Sequence, residues 1–287
     1  MTEPWTIARI AAWITKDLAA REVSSPRLEA ELLVAHALKL RRLDVFLRYD
    51  QPLSPEELTA IRALVERRRR HEPLAYLTGE REFYGRPFAV DRRVLIPRPE
   101  TEHLVDAVVA HLRARGEAPS AVLDLCTGSG CIAVTVALMV PHATLDAVDL
   151  SPAALEVARA NVARHDLAAR VTLHEGSLYK PLGDKRFDVI ASNPPYIPSD
   201  EVPALMPDVS QHEPHLALDG GPDGTVVLRA LLGGVAARLN PGGLLAVEVG
   251  HDQGAWAVRE ATAAGLLDAR MEKDLAGIPR VLLARAG

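Results

Sequence analysis

The chain has 287 residues, 48% of them apolar, with 33 basic and 38 acidic side chains and a net charge of −5. That is enough apolar material for one large domain, or a large domain with a small companion, and the acidic balance argues against a protein whose main work is gripping nucleic acid, which needs a basic footprint. No apolar run approaches the ~20 residues that cross a bilayer, and the opening MTEPWTIARI carries acid and proline where a signal peptide has basic residues and then an apolar core, so a cytoplasmic protein is expected.

Residues 1 to about 76 read as helices only. TIARIAAWITKDLAA places Ile7, Ile10, Ala11, Ile14 and Leu18 on one face. SSPRLEAELLVAHAL offers Ser25 as a cap and Pro26 at the first helical position. SPEELTAIRALVERRRR opens on a capping box of Ser54 and Glu57, buries Leu58, Ile61 and Val65, and closes on Arg67 to Arg70. Cations there complement the helix dipole and read as a solvated helix end, with contact to an acidic or RNA-bearing partner as the alternative.

Residues 77–97 carry Phe83 and Phe88 around a turn at Gly85, and Pro97 breaks the backbone, so a β-hairpin linker is expected. A helix follows from Pro99 to about Arg115, ended by Gly116. Over 98–287 strand and helix then alternate, which predicts a parallel sheet covered on both faces. AVLDLC, TLDAVDL, RVTLHE, FDVIAS and GGLLAVEVG are its strands, and the final LLDARMEKDLAGIPRVLLARAG turns at Gly277 and Pro279 to finish it with an antiparallel pair. Cys126 and Cys131 cannot build a disulfide framework or a closed zinc site, so they read as small buried residues and no metal is expected.

Ligands of open parallel sheets sit at the carboxyl ends of the strands. The first strand runs into DLCTGSGCIA, where Gly128 and Gly130 let backbone approach a ligand and the next helix presents its amides. GSGCIA also fits a dinucleotide fingerprint, so the loop alone leaves a nicotinamide cofactor open. Asp149, nineteen residues beyond Gly130, ends the second strand where an acid accepts ribose hydroxyls, unless it merely caps the helix that begins at SPAAL. The fourth strand stops at Asn193-Pro194-Pro195-Tyr196. Neither proline has an N–H, so the turn shows acceptors, the Asn193 side-chain carbonyl and the Pro194 backbone carbonyl, with Tyr196 as an aromatic face at the rim. Two fixed acceptors suit an –NH₂ group held against a neighbouring cofactor.

At these residues the chain resembles a family. DLCTGSG, AVDLS and SNPPY, in this order and spacing, look like an S-adenosylmethionine-dependent amino-methyltransferase. LAYLTGEREFYGRPFAVDRRVLIPRPETEHLV and HEPHLALDGGPDG resemble the bacterial glutamine methyltransferases, and PRPETE resembles the branch that acts on peptide chain release factors. The resemblance covers essentially the whole chain. It implies a Rossmann-like class I methyltransferase sheet, parallel with an antiparallel C-terminal strand, behind a small helical substrate-recognition domain. It implies S-adenosylmethionine as cofactor, a class-one release factor as partner, methylation of the glutamine of its Gly-Gly-Gln motif, and a monomer with no membrane or nucleic-acid partner. Carried over by motif, the cofactor residues are Cys126, Thr127, Gly128, Ser129, Gly130, Asp149, Leu178 and Asn193. The substrate residues are Asn193, Pro194, Pro195 and Tyr196, of which Asn193, Pro194 and Tyr196 are catalytic. Cys126 stands where the loop usually has glycine, a form shared with the paralogue that modifies a ribosomal protein, and Ser177 stands where an acid is common. A DNA adenine methyltransferase, which uses the same turn on a flipped base, is the further alternative.

Overall fold

A computed structural model describes residues 4–274 and 276–287. The first three residues, part of the opening stretch used above against a signal peptide, lie outside it. The chain forms two compact units, Met1–Glu80 with Met206–His212, and Arg81–Leu205 with Glu213–Gly287.

The first unit is helical: α1 (Ile7–Ala19), α2 (Pro26–Leu38), α3 (Arg42–Leu47), α4 (Pro55–Arg69) and α5 (Leu74–Thr78), with one further turn at Pro207–Ser210. Its core is the expected stripe of Ile7, Ile10, Ile14 and Leu18 packed with Leu33, Val34, Ile61 and Val65. The Ser54 hydroxyl accepts the Glu57 N–H at 3.2 Å while the Glu57 carboxylate accepts the Ser54 N–H at 2.8 Å, completing the capping box. Ser25 departs from expectation, because its side chain makes no cap bond and the start of α2 rests on the fixed φ of Pro26.

The arginine run is solvated only in part: Arg67 and Arg70 are exposed as expected, and Arg68 is not. Arg68 is buried and donates to Glu29 at 2.6 Å, with Asp208 at 3.0 Å; Arg67 holds Glu72 at 2.6 Å and Arg69 holds Asp17 at 2.7 Å. These side chains knit helices of their own unit. A guanidinium stays charged even when buried, so such fork-like partners are what offset its desolvation.

The second unit opens on a hairpin of β1 (Glu80–Phe83) and β2 (Arg86–Ala89). Tyr84 and Gly85, at φ +53° and +68°, make the two-residue turn whose twist matches the strands. Phe83 and Phe88 meet edge to face, their centroids 6.0 Å apart.

After α6 (Thr101–Ala114) come β3 (Ser120–Leu125), α7 (Cys131–Met139), β4 (Ala143–Asp149), α8 (Pro152–Arg164), β5 (Val171–Glu175), β6 (Phe187–Ser192), β7 (Leu239–Glu248), β8 (Leu267–Lys273) and β9 (Pro279–Arg285). The sheet order is β5-β4-β3-β6-β7-β9-β8. β5 to β7 run parallel, and β9 pairs antiparallel with both β7 and β8. Val122, Val189 and Leu244 fill one apolar layer, while Leu123, Ile190 and Leu245 fill the other. Both faces are therefore covered at the centre of the sheet, which is why β3, β6 and β7 read as near-continuous apolar runs while the edge strand β8 stays mostly exposed.

Chain order reverses between β3 and β6, where Leu125 lies opposite Ser192. Cys126 and Asn193 therefore leave the sheet side by side, at the crevice where such folds bind ligands.

Candidate functional site

The loop after β3 owes its shape to three left-handed residues, Cys126, Gly128 and Gly130, at φ +59°, +54° and +79°. Cys126 alone among them carries a side chain, at a strain of about 1–2 kcal/mol. Although Cys126 is only half-buried, desolvation pushes its thiol up to about 12, so it stays protonated and is no nucleophile. The Thr127 hydroxyl donates to Asp124 at 2.5 Å, and the same carboxylate oxygen accepts the Ala133 N–H at 3.2 Å. The other Asp124 oxygen is buried without a partner, and burial pushes this carboxyl up to about 7. Asn161, from α8, donates to the carbonyls of Ser129 at 2.8 Å and Ala89 at 3.0 Å, joining loop and hairpin.

Asp149 ends β4 with one oxygen accepting the Gly128 N–H at 2.8 Å and the other the Ser151 N–H at 2.9 Å. The capping of α8 falls to Ser151, whose hydroxyl accepts the Ala154 N–H at 3.2 Å. Asp149 thus braces the loop rather than closing the helix, and each oxygen keeps acceptor capacity. Burial raises its pKa and the backbone N–H groups hold it down.

At the end of β6, the Asn193 amide donates to the Thr101 hydroxyl at 3.1 Å, and Thr101 donates to Glu248 at 2.6 Å. The Tyr196 hydroxyl donates to the second oxygen of Glu248 at 3.3 Å. Gln253 donates to the carbonyls of Tyr196 at 2.9 Å and Gly224 at 3.1 Å. Gly224 is required there, since a Cβ would lie 2.4 Å from the Tyr196 carbonyl oxygen.

These strand ends border a cavity of about 330 Å³, within the range of small-molecule sites. Cys126, Thr127, Gly128, Ser129, Asp149, Leu178, Asn193 and Pro195 all line it. Gly130, Pro194 and Tyr196 are not among its lining residues. Gly130 forms the N-terminal cap of α7, and the Tyr196 hydroxyl is held by Glu248. Sequence reading missed Thr101, Glu248 and Gln253 as parts of this site. It saw PRPETE and HEPHLALDGG only as strings, whereas Arg98 and Glu213 from those segments form a 2.6 Å ion pair and Pro214, Leu216 and Ala217 complete a wall. Among the described residues no group of three His, Cys, Asp or Glu side chains is placed to hold a metal ion, and no helix is long and apolar enough to cross a membrane.

The profile of the PrmC N-terminal domain matches residues 10–79, and that of the Methyltransferase small domain matches residues 102–212. The release factor glutamine methyltransferase of Geobacter sulfurreducens is 45% identical over 285 residues, covering 99% of this chain and 98% of that one. The chain belongs to the release factor glutamine methyltransferase family. The relative of the same name from Rhodopirellula baltica is 42% identical, covering 97% of this chain and 96% of its own. Among solved structures, a methyltransferase from Pyrococcus furiosus aligns over 71% of this chain and 91% of its own at a TM-score of 0.53 and 19% identity, a likeness of fold alone. Membership in the methyltransferase family removes the nicotinamide reading that the glycine loop alone left open.

Proposed function

We propose that this enzyme transfers a methyl group from S-adenosylmethionine to the side-chain amide nitrogen of a glutamine, that of the Gly-Gly-Gln motif of class-one peptide chain release factors, in the cytoplasm. The observation that carries the reading is the emergence of Asn193 beside the glycine loop, with its amide nitrogen committed to Thr101 and its carbonyl oxygen left to accept.

The cavity fits the cofactor. Asp149 retains acceptor capacity for two ribose hydroxyls, Leu178 offers an apolar face to the adenine, and the left-handed backbone at Gly128 permits close approach. When bound, S-adenosylmethionine supplies a methyl group on a sulfonium, reactive enough for a weak nucleophile.

An amide nitrogen is a weak nucleophile because its lone pair is delocalised into the carbonyl. The Asn193 side-chain carbonyl and the Pro194 backbone carbonyl accept its two N–H groups, orient the nitrogen, favour its pyramidal form and offset the positive charge that develops there. No side-chain base is needed, since the proton becomes acidic only as the methyl arrives and leaves by these acceptors to water. Pro195 and Tyr196 hold the turn rigid. The helical unit supplies recognition of a folded protein surface, because one exposed glutamine offers too little contact for selectivity.

Mass spectrometry after incubation with S-adenosylmethionine and intact release factor, a short Gly-Gly-Gln peptide, a large-subunit ribosomal protein or DNA tests the reading. Methylation of the release factor glutamine is expected. Methyl incorporation into the ribosomal protein or DNA without the release factor overturns it.

A further inference from the structure

We propose that Glu248 is a positioning residue for methyl transfer: acting through Thr101, it dictates which end of the Asn193 amide faces the cavity. The inference rests on the function proposed above and gives a role to Glu248, which lies outside the motifs that carry the family resemblance.

The direction follows from counting donors. A carboxylate only accepts, and a threonine hydroxyl has one proton to give. That proton goes to Glu248 over 2.6 Å, so the Thr101 oxygen turns only lone pairs towards Asn193. Asn193 must answer with its N–H₂, at 3.1 Å, and its carbonyl oxygen is thereby turned away from Thr101 and left to accept a substrate N–H. The other Glu248 oxygen takes the Tyr196 hydroxyl, so one carboxylate holds one end of the four-residue turn directly and the other through Thr101.

Glu248 is only 2% exposed, and a carboxylate is expensive to bury for stability alone. Burial holds its pKa above the ordinary glutamate value, although Thr101, Tyr196 and the charge of Arg280 pull the other way. The three groups come from the start of α6, the end of β7 and the turn after β6. A fold that needed only packing there would do as well with an apolar side chain.

Glu248→Gln keeps the size but brings an N–H₂ group that can donate to the Thr101 oxygen. The Thr101 proton is then free to point at Asn193, and the amide turns over, presenting donors to a substrate that also donates. The expected result is a kcat lower by roughly tenfold to a hundredfold with unchanged affinity for S-adenosylhomocysteine by calorimetry. Thr101→Val should fall alike, and Thr101→Ser should recover most of that loss. In an Asn193→Ala background, Glu248→Gln should add less than about twofold, because the amide it orients is gone.

A readout independent of turnover is the nuclear Overhauser contact between the Asn193 side-chain N–H₂ and the Thr101 methyl, expected in the native protein from the 3.1 Å bond and expected to weaken in Glu248→Gln. Should Glu248→Gln fail to fold, the Thr101 pair carries the same comparison. A wild-type kcat in Glu248→Gln or Thr101→Val, or equal fold-losses with and without Asn193, overturns the proposal. Failure of the wild-type enzyme to methylate release factor would instead strike the proposed function, and the magnetic resonance contact would still report on the relay.

Discussion

The Ser192 hydroxyl donates to the backbone carbonyl of Leu125 at 2.8 Å, tying the ends of β6 and β3 together one residue before each strand becomes functional. Cys126 and Asn193 therefore start from a fixed separation, and the loop and the acceptor turn behave as one rigid site. Asn193→Ala removes the acceptor and nothing of the loop. The methylation rate should fall roughly a hundredfold to a thousandfold, while calorimetry with S-adenosylhomocysteine should show near-native affinity. Turnover within about threefold of wild type would remove Asn193 from the chemistry.

Asp149→Ala should act the other way round. It deprives the Gly128 and Ser151 N–H groups of their acceptor as well as any ribose hydroxyl. Hydrogen bonds to a charged group contribute about 1.5–3 kcal/mol each, so S-adenosylhomocysteine affinity should weaken by at least roughly tenfold. Native affinity in the mutant would reduce Asp149 to a brace for the loop.

Much of this was legible beforehand because it is local. Strands β3, β6, β7 and β9 declare themselves by apolar runs, the Ser54–Glu57 box by spacing, and the acceptor turn by two prolines in a row. Cys126 shows where sequence and geometry meet. Its φ of +59° explains why such loops favour glycine at that position. What stayed hidden depends on distant pairing. Thr101 and Glu248 meet across 147 residues, and nothing in either neighbourhood names the other. Arg68 was misread for the same reason, since its partners lie 39 and 140 positions away.

The Arg68 ion pair gives a prediction about stability. Arg68→Ala strands Glu29, a carboxylate already shielded from water, without its guanidinium. Breaking a buried pair from one side costs about 3–5 kcal/mol, and the loss should appear in urea unfolding followed by far-ultraviolet dichroism. Double replacement of Arg68 and Glu29 by apolar residues should recover part of it. A loss below about 1 kcal/mol for the single change would return the arginine run to a solvated surface.

Asp124 gives a pH dependence whose sign is fixed by its burial. Its carboxyl titrates at about 7 in the folded chain and near ~3.9 when unfolded. Below about pH 4 both states hold the proton and there is no penalty. Between there and about 7 the unfolded chain has lost the proton while the native chain still holds it, so native stability falls as pH rises and levels off above. A gap of this size corresponds to roughly 4 kcal/mol at most. Paired carboxylates such as Asp17 and Asp274, whose pKa values are lowered by their partners, trend the other way but are common to wild type and mutant. Asp124→Asn keeps an acceptor for Thr127 and Ala133 and cannot ionise. Urea unfolding of both proteins at intervals from pH 4.5 to 8 should therefore show the mutant gaining on the wild type as pH rises, with the difference flattening above about 7. Parallel stability curves would mean that Asp124 is ionised throughout, with its second oxygen satisfied by water.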